Sequence, residues 1–134
     1  MALKQSAAAA NAAVNAKCAL VDGGTLKIYS VGSGVPANVA DEITDQTLLA
    51  SLALSNPAFG AAAAGEADAA PITSAAGVGA EDAAFFRLCA PGGSAVMQGA
   101  VGTEEGSDLT LNNISIAVGG TVGVTSLKVS ESLV

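Results

Sequence analysis

Ala84-Phe85-Phe86-Arg87-Leu88-Cys89-Ala90-Pro91-Gly92-Gly93-Ser94-Ala95-Val96-Met97-Gln98-Gly99-Ala100-Val101 decides how the rest of the chain is read. Two largely apolar runs flank Pro91-Gly92-Gly93. Proline presets φ for a turn and glycine supplies the positive φ that a tight reversal needs. Residues 84–89 therefore read as a strand and residues 95–101 as its returning partner, a β-hairpin. Side chains alternate along a strand, which puts Phe85 and Arg87 on one face and Phe86 and Leu88 on the other.

The same grammar extends outward. Thr25-Leu26-Lys27-Ile28-Tyr29 alternates in polarity and reads as the first strand. A loop with Gly32, Gly34 and Pro36 follows, and residues 41–45 are a helical turn or more loop. Leu48, Ala50, Leu52 and Leu54 alternate up to the turn at Ser55-Asn56-Pro57. Residues 59–72, rich in Ala and Gly, read as an irregular or strand-like crossing. Asp108 to Leu111 is a short strand, Asn112-Asn113 a turn, and Ile114 to Val118 a further alternating strand. Gly119-Gly120 fits a two-residue hairpin turn leading into 121–129. The apolar phase switches near Thr125-Ser126, which predicts a β-bulge. Seven or eight strands at roughly ten-residue spacing are the pattern of a sandwich or jelly roll.

The N-terminus differs. Leu3, Ala7, Ala10, Val14, Cys18 and Val21 recur at three- and four-residue spacing, a helical stripe in an Ala-rich run without Gly or Pro. Gly23-Gly24 ends it. A stripe of such small residues is marginal alone and needs a docking surface, in its own domain, a sister subunit or a larger partner. The expected organisation is an N-terminal helix or arm over 1–22 and a β-sandwich over 23–134. The fold class is mainly β, a jelly-roll-like antiparallel β-sandwich with an N-terminal Ala-rich helix.

Composition narrows function. The chain has 134 residues, 51% of them hydrophobic but only 3% aromatic, and no His, the commonest general base and metal ligand. A net charge of −7 speaks against nucleic acid or anionic membrane as partners, since both need clustered Lys and Arg. Mean hydropathy is high, +0.53, yet the most apolar window, 48–65, is broken by Ser51, Ser55, Asn56 and Pro57, too short a run for a spanning helix. The first twenty residues have no uninterrupted apolar core of the secretory kind, so the chain is expected to be made in a cytoplasm, with Cys18 and Cys89 as free, buried thiols.

Carboxylates cluster at Asp41/Glu42/Asp45, Glu81/Asp82 and Glu104/Glu105/Asp108, but none has the spacing of a calcium loop, and they read as a solvated acidic rim. Gly32-Ser33-Gly34, Gly77-Val78-Gly79 and Gly92-Gly93-Ser94 fit neither dinucleotide nor P-loop patterns and read as turns. Serine catalysis lacks a His base. The expectation is no enzyme, no catalytic, cofactor-binding or metal-binding residue, and no small-molecule substrate.

Several segments together carry a resemblance. They are Gly24-Thr25-Leu26-Lys27-Ile28-Tyr29, the run from Leu48 to Gly60, Phe85-Phe86-Arg87-Leu88, the run from Gln98 to Thr103, and the run from Asp108 through Gly119-Gly120-Thr121-Val122. From about Leu20 onward the chain resembles the capsid cement, or decoration, proteins of tailed bacteriophages. The resemblance implies a non-enzymatic virion protein on the capsid exterior, a β-sandwich that bridges major capsid subunits, most readily as a homodimer. The rival readings are a tail or fibre component and an exported, pilin-like adhesin. On the cement reading the expected contacts are the N-terminal helix, at Ala7, Ala10 and Val14, and the edge of the expected C-terminal hairpin, at Ile114, Ile116, Val122 and Val124.

Overall fold

The computed structural model describes residues 4–102 and 108–130. Leu3, Thr103, Glu104 and Glu105 lie outside the described residues. One helix, α1 (Ala7–Ala19), precedes nine strands: β1 (Thr25–Tyr29), β2 (Leu48–Ala53), β3 (Glu66–Asp68), β4 (Ala75–Ala76), β5 (Phe85–Cys89), β6 (Ala95–Gly102), β7 (Leu109–Leu111), β8 (Thr121–Val122) and β9 (Val124–Ser130). The fold is mainly β with an N-terminal helix. A curled seven-stranded sheet runs in the order β2-β1-β5-β6-β7-β9-β3, and β4 and β8 form a second, small sheet. Both contribute to one apolar core.

Helix α1 starts where Ser6 Oγ accepts a hydrogen bond from the Ala9 N–H at 3.2 Å, which satisfies one of the first turn's free donors. The periodic stripe holds at Ala10, Val14, Cys18 and Val21, all buried, whereas Ala7 is exposed. The chain leaves the helix through Gly23 at φ +70°. At Gly24, where β1 is about to begin, an added Cβ would collide with the Cys89 carbonyl. A glycine there is what lets the strand pack directly against the end of β5.

The hairpin read from residues 84–101 is present, β5 pairing antiparallel with β6. Its turn is closed by Ala90 N–H to Ser94 O (2.9 Å) and Gly93 N–H to Ala90 O (2.8 Å), with Gly93 at φ +99°. β1 pairs with both β2 and β5. Ile28 faces Ala50 but Tyr29 faces Leu48, so Leu49 is an extra residue. That bulge explains why Leu49 and Ala50 are both buried although they are adjacent. The bulge expected near Thr125-Ser126 is also found. Thr110 faces Ser126, Leu111 faces Val124, and Thr125 is passed over.

Two expectations need correction. The sheet is mixed, not wholly antiparallel, because β6 and β7 run parallel, Val101 facing Leu109 and Gly102 facing Thr110. The hairpin expected across Gly119-Gly120 does not form. Ile114–Ile116 lies beside residues 81–83 instead, through Ala83 N–H to Ile114 O (2.7 Å) and Ile116 N–H to Glu81 O (3.1 Å). β8 pairs with β4. Glycine explains the exchange: Gly77 donates to Gly120 O (2.8 Å) and accepts from Gly119 N–H (2.9 Å), a closeness that a side chain would block at the Ala117 carbonyl. Residues 75–77 thus take the edge that Ile114–Val118 was expected to fill.

The inner face of β1, β2 and β5 carries Leu26, Ile28, Ala50, Leu52, Phe86 and Leu88 into the core, with Val14, Cys18 and Val21 of the helix region in the same cluster. Its opposite face is covered by a loop. Residues 31–46 leave and return at a closed neck, Ser30 N–H to Thr47 O (3.0 Å) and Thr47 N–H to Ser30 Oγ (2.9 Å). Inside, Gln46 Nε2 donates to Gly34 O (2.6 Å) and Ser33 Oγ to Asp45 Oδ1 (3.0 Å). A compact loop with adjoining ends, held by its own side chains, is an Ω-loop.

Candidate functional site

The seven residues expected at contacts do not share a surface. Ala10, Val14, Ile116 and Val122 are buried in the chain's own core, so their side chains are not free to meet a partner. Ile114 and Val124 are half-buried and pack on that core; only Ala7 is exposed. The reason is the docking of α1. Asn15 Oδ1 accepts from Ala62 N–H (2.9 Å) and Asn11 Oδ1 from Gly65 N–H (2.8 Å), which ties the helix to the segment before β3. Asp22 Oδ1 accepts from Ala58 N–H at 2.8 Å. Of the docking surfaces open to the Ala-rich stripe, the chain's own sheet is the one used.

What the helix leaves outside is a smooth strip of methyl groups, Ala8, Ala12, Ala16 and Ala19, ending at Leu20, 58% exposed. A second apolar feature lies at the small sheet. Val78 is 59% and Val118 70% exposed, each next to the paired backbone of Gly77, Gly119 and Gly120. Val31 and Val35 project from the Ω-loop. Single exposed apolar residues are ordinary; here two large ones lie on neighbouring segments whose glycines are hydrogen-bonded to each other.

Chemistry-bearing groups are few. Cys18 and Cys89 are free and buried, and burial pushes both thiols up from their ordinary range, the opposite of nucleophile activation. Asp41 accepts from Asn38 N–H, Asp45 from Ser33 and Thr44, and Glu81 from Thr47. The hydrogen bonds from Ser33 hold the Asp45 carboxyl below the usual range. Among the described residues no three His, Cys, Asp or Glu are grouped to hold a metal, and no helix is long and apolar enough to cross a membrane.

One polar row was missed by the sequence reading. Lys27 of β1 pairs directly with Arg87 of β5, and Arg87 with Gln98 of β6. All three lie on the sheet face beneath the Ω-loop. Arg87 is only 5% exposed. Its Nε donates to Gln98 Oε1 at 2.9 Å and its Nη2 to Asn38 O at 3.4 Å, while Gln98 Nε2 donates to Pro36 O at 2.8 Å. Beside the row Tyr29 stacks on Phe85, ring centres 5.2 Å apart and 16° from parallel. The available signal was Lys27 and Arg87 at the same phase of two apolar strands; what covers them depends on the loop's path, which periodicity does not give.

Comparison with protein-family models, with curated proteins and with solved structures finds no match.

Proposed function

We propose that the chain is a structural protein of a bacteriophage particle that binds the outside of the capsid and cements neighbouring major capsid subunits. The observation that carries the reading is the exposure of Val78 and Val118 beside the hydrogen-bonded Gly77, Gly119 and Gly120 of an otherwise acidic domain. The segments quoted above, which resemble those of capsid cement proteins, support the same reading. So does the bare Ala strip of α1, since small residues allow close approach over a wide area. A cement protein works by surface complementarity repeated over a lattice, where many weak contacts add to a strong hold. Its negative charge keeps it off nucleic acid and anionic membrane. Exposed Val78, Val118 and Leu20 take the place of the buried Ala10, Val14, Ile116 and Val122 as proposed contacts.

The test is binding of purified chain to capsid shells assembled without it, followed by co-sedimentation. Val118→Asp adds a charge at an exposed site and leaves the fold intact; it is expected to weaken binding at least about tenfold per site. Wild-type chain that fails to sediment with such shells would refute the role, and full binding by V118D would remove this corner from it.

A further inference from the structure

Beneath the Ω-loop, buried Arg87 and half-buried Lys27 have no described carboxylate as an ion-pair partner. Buried charges are ordinarily paired, because removing a guanidinium from water is costly unless an opposite charge compensates it. Arg87 is 95% buried, yet its partners are a neutral amide and a carbonyl. Among the described residues no carboxylate forms an ion pair with Arg87 or Lys27; that of Lys128 with Asp68, at 3.9 Å, lies elsewhere. Lys27 sits directly across from Arg87, and like charges in that position repel. In a chain with five cationic side chains against twelve acidic ones, two of the five share this spot, and none of the described carboxylates lines it.

The space beside them is a cavity of about 380 Å³, within the range of small-ligand sites. Lys27, Arg87 and Ser94 line it with polar groups; Tyr29, Val39 and Ala40 add apolar surface. The hydrogen bonds of Arg87 engage its Nε and Nη2, and the guanidinium lines the cavity.

We infer that this cavity is a binding site for a carboxylate, with Arg87 and Lys27 on the two oxygens and the ligand's aliphatic body against Val39, Ala40 and Tyr29. A planar guanidinium matches a carboxylate, and charge-assisted hydrogen bonds are roughly twice as strong as neutral ones. The apolar walls favour a carboxylate with a short carbon chain over inorganic phosphate. The chemistry is shared by a free carboxylic acid and by an acidic side chain of a docked protein. The site stands independently of the role on the capsid.

The test is an NMR titration of the ¹⁵N-labelled full chain with acetate, against chloride at equal ionic strength. Saturable shifts are expected at Lys27, Val39, Ser94 and the Arg87 Nε–H with acetate only. Because Arg87 variants risk the fold, the diagnostic changes are at half-buried Lys27. Lys27→Gln weakens acetate binding about tenfold. Lys27→Glu, which supplies the carboxylate from the chain itself, abolishes the response and raises the melting temperature. Glutarate and N-acetylglutamate methylamide separate the two sources: tighter binding of the first marks a free acid, of the second a protein side chain, and either upholds the site. Equal shifts with chloride and acetate, a phosphate response stronger than the acetate one, or unchanged acetate affinity in K27Q would overturn it.

Discussion

Ala64 holds a backbone conformation, φ +52°, that an L-residue with a Cβ seldom adopts. It is followed by Gly65 at φ +77°, and the pair joins Ala63 and Glu66, which exchange both hydrogen bonds at 2.8 and 3.0 Å. That is a two-residue hairpin turn with both central residues at positive φ, where Asn-Gly is strongly preferred. Since Ala64 is exposed, Ala64→Asn is expected to stabilise the chain by about 1 kcal/mol, read as a higher denaturant midpoint with unchanged m-value. A second expectation concerns the thiols. Burial raises the pKa of Cys18 and of Cys89, for Cys18 reinforced by Asp22. The folded state therefore holds these protons more tightly than the unfolded one. Their contribution is complete below the ordinary thiol pKa of about 8.5 and is lost as pH rises through the folded values. Denaturant unfolding at neutral pH and at about pH 9.5 should show the decline, and C18A/C89A should show less of it.

At the scale of elements, α1 is held by a short apolar stripe and by two side-chain hooks. Its buried stripe is one Ala, one Val and one Cys, small residues that each bury modest surface. Asn11 and Asn15 supply acceptors to the backbone of residues 65 and 62. Replacing either with Ala should cost about 1 kcal/mol and both about 2 kcal/mol, with faster hydrogen exchange at the amides of Ala62 and Gly65. Loss of protection confined to one residue's partner in each single variant is the expected pattern; no change in exchange would mean the hooks are incidental.

Which elements were legible follows from how locally each is determined. The β5–β6 hairpin, β1, β2 and α1 are written in contiguous alternation, helical spacing and turn residues, and the structure has them. The bulge at Thr125 was legible because a phase switch is itself a local signal. The partner of Ile114–Ile116 was not. Alternation says that a segment is extended, never which neighbour it pairs with, and that choice rested on Gly77 accepting a close backbone contact far away in sequence. Four of the residues expected at contacts are buried for a related reason: an apolar stripe marks a face that will be covered, and here the covering surface is the chain itself. The Lys27–Arg87–Gln98 row appears only once strand register and the path of the Ω-loop are known.

For the whole molecule, high apolarity with few aromatics resolves into one core filled by Leu, Val, Ile and Ala between a large curled sheet, a small sheet and a helix. Among the described residues the buried polar side chains are Ser30, Gln46 and Arg87, on and under the Ω-loop. The apolar features left exposed sit on the helix exterior, the Ω-loop and the braced corner near Gly77. Such a surface suits repeated contact with a lattice, and the capsid role is the claim on which the account stands. Quantitative gel or mass-spectrometric analysis of purified particles of any bacteriophage whose genome carries this sequence tests that proposal most directly. The account predicts the chain in every preparation at a copy number comparable to that of the major capsid protein. Absence from the particles, or a copy number as small as that of a tail component, would contradict it.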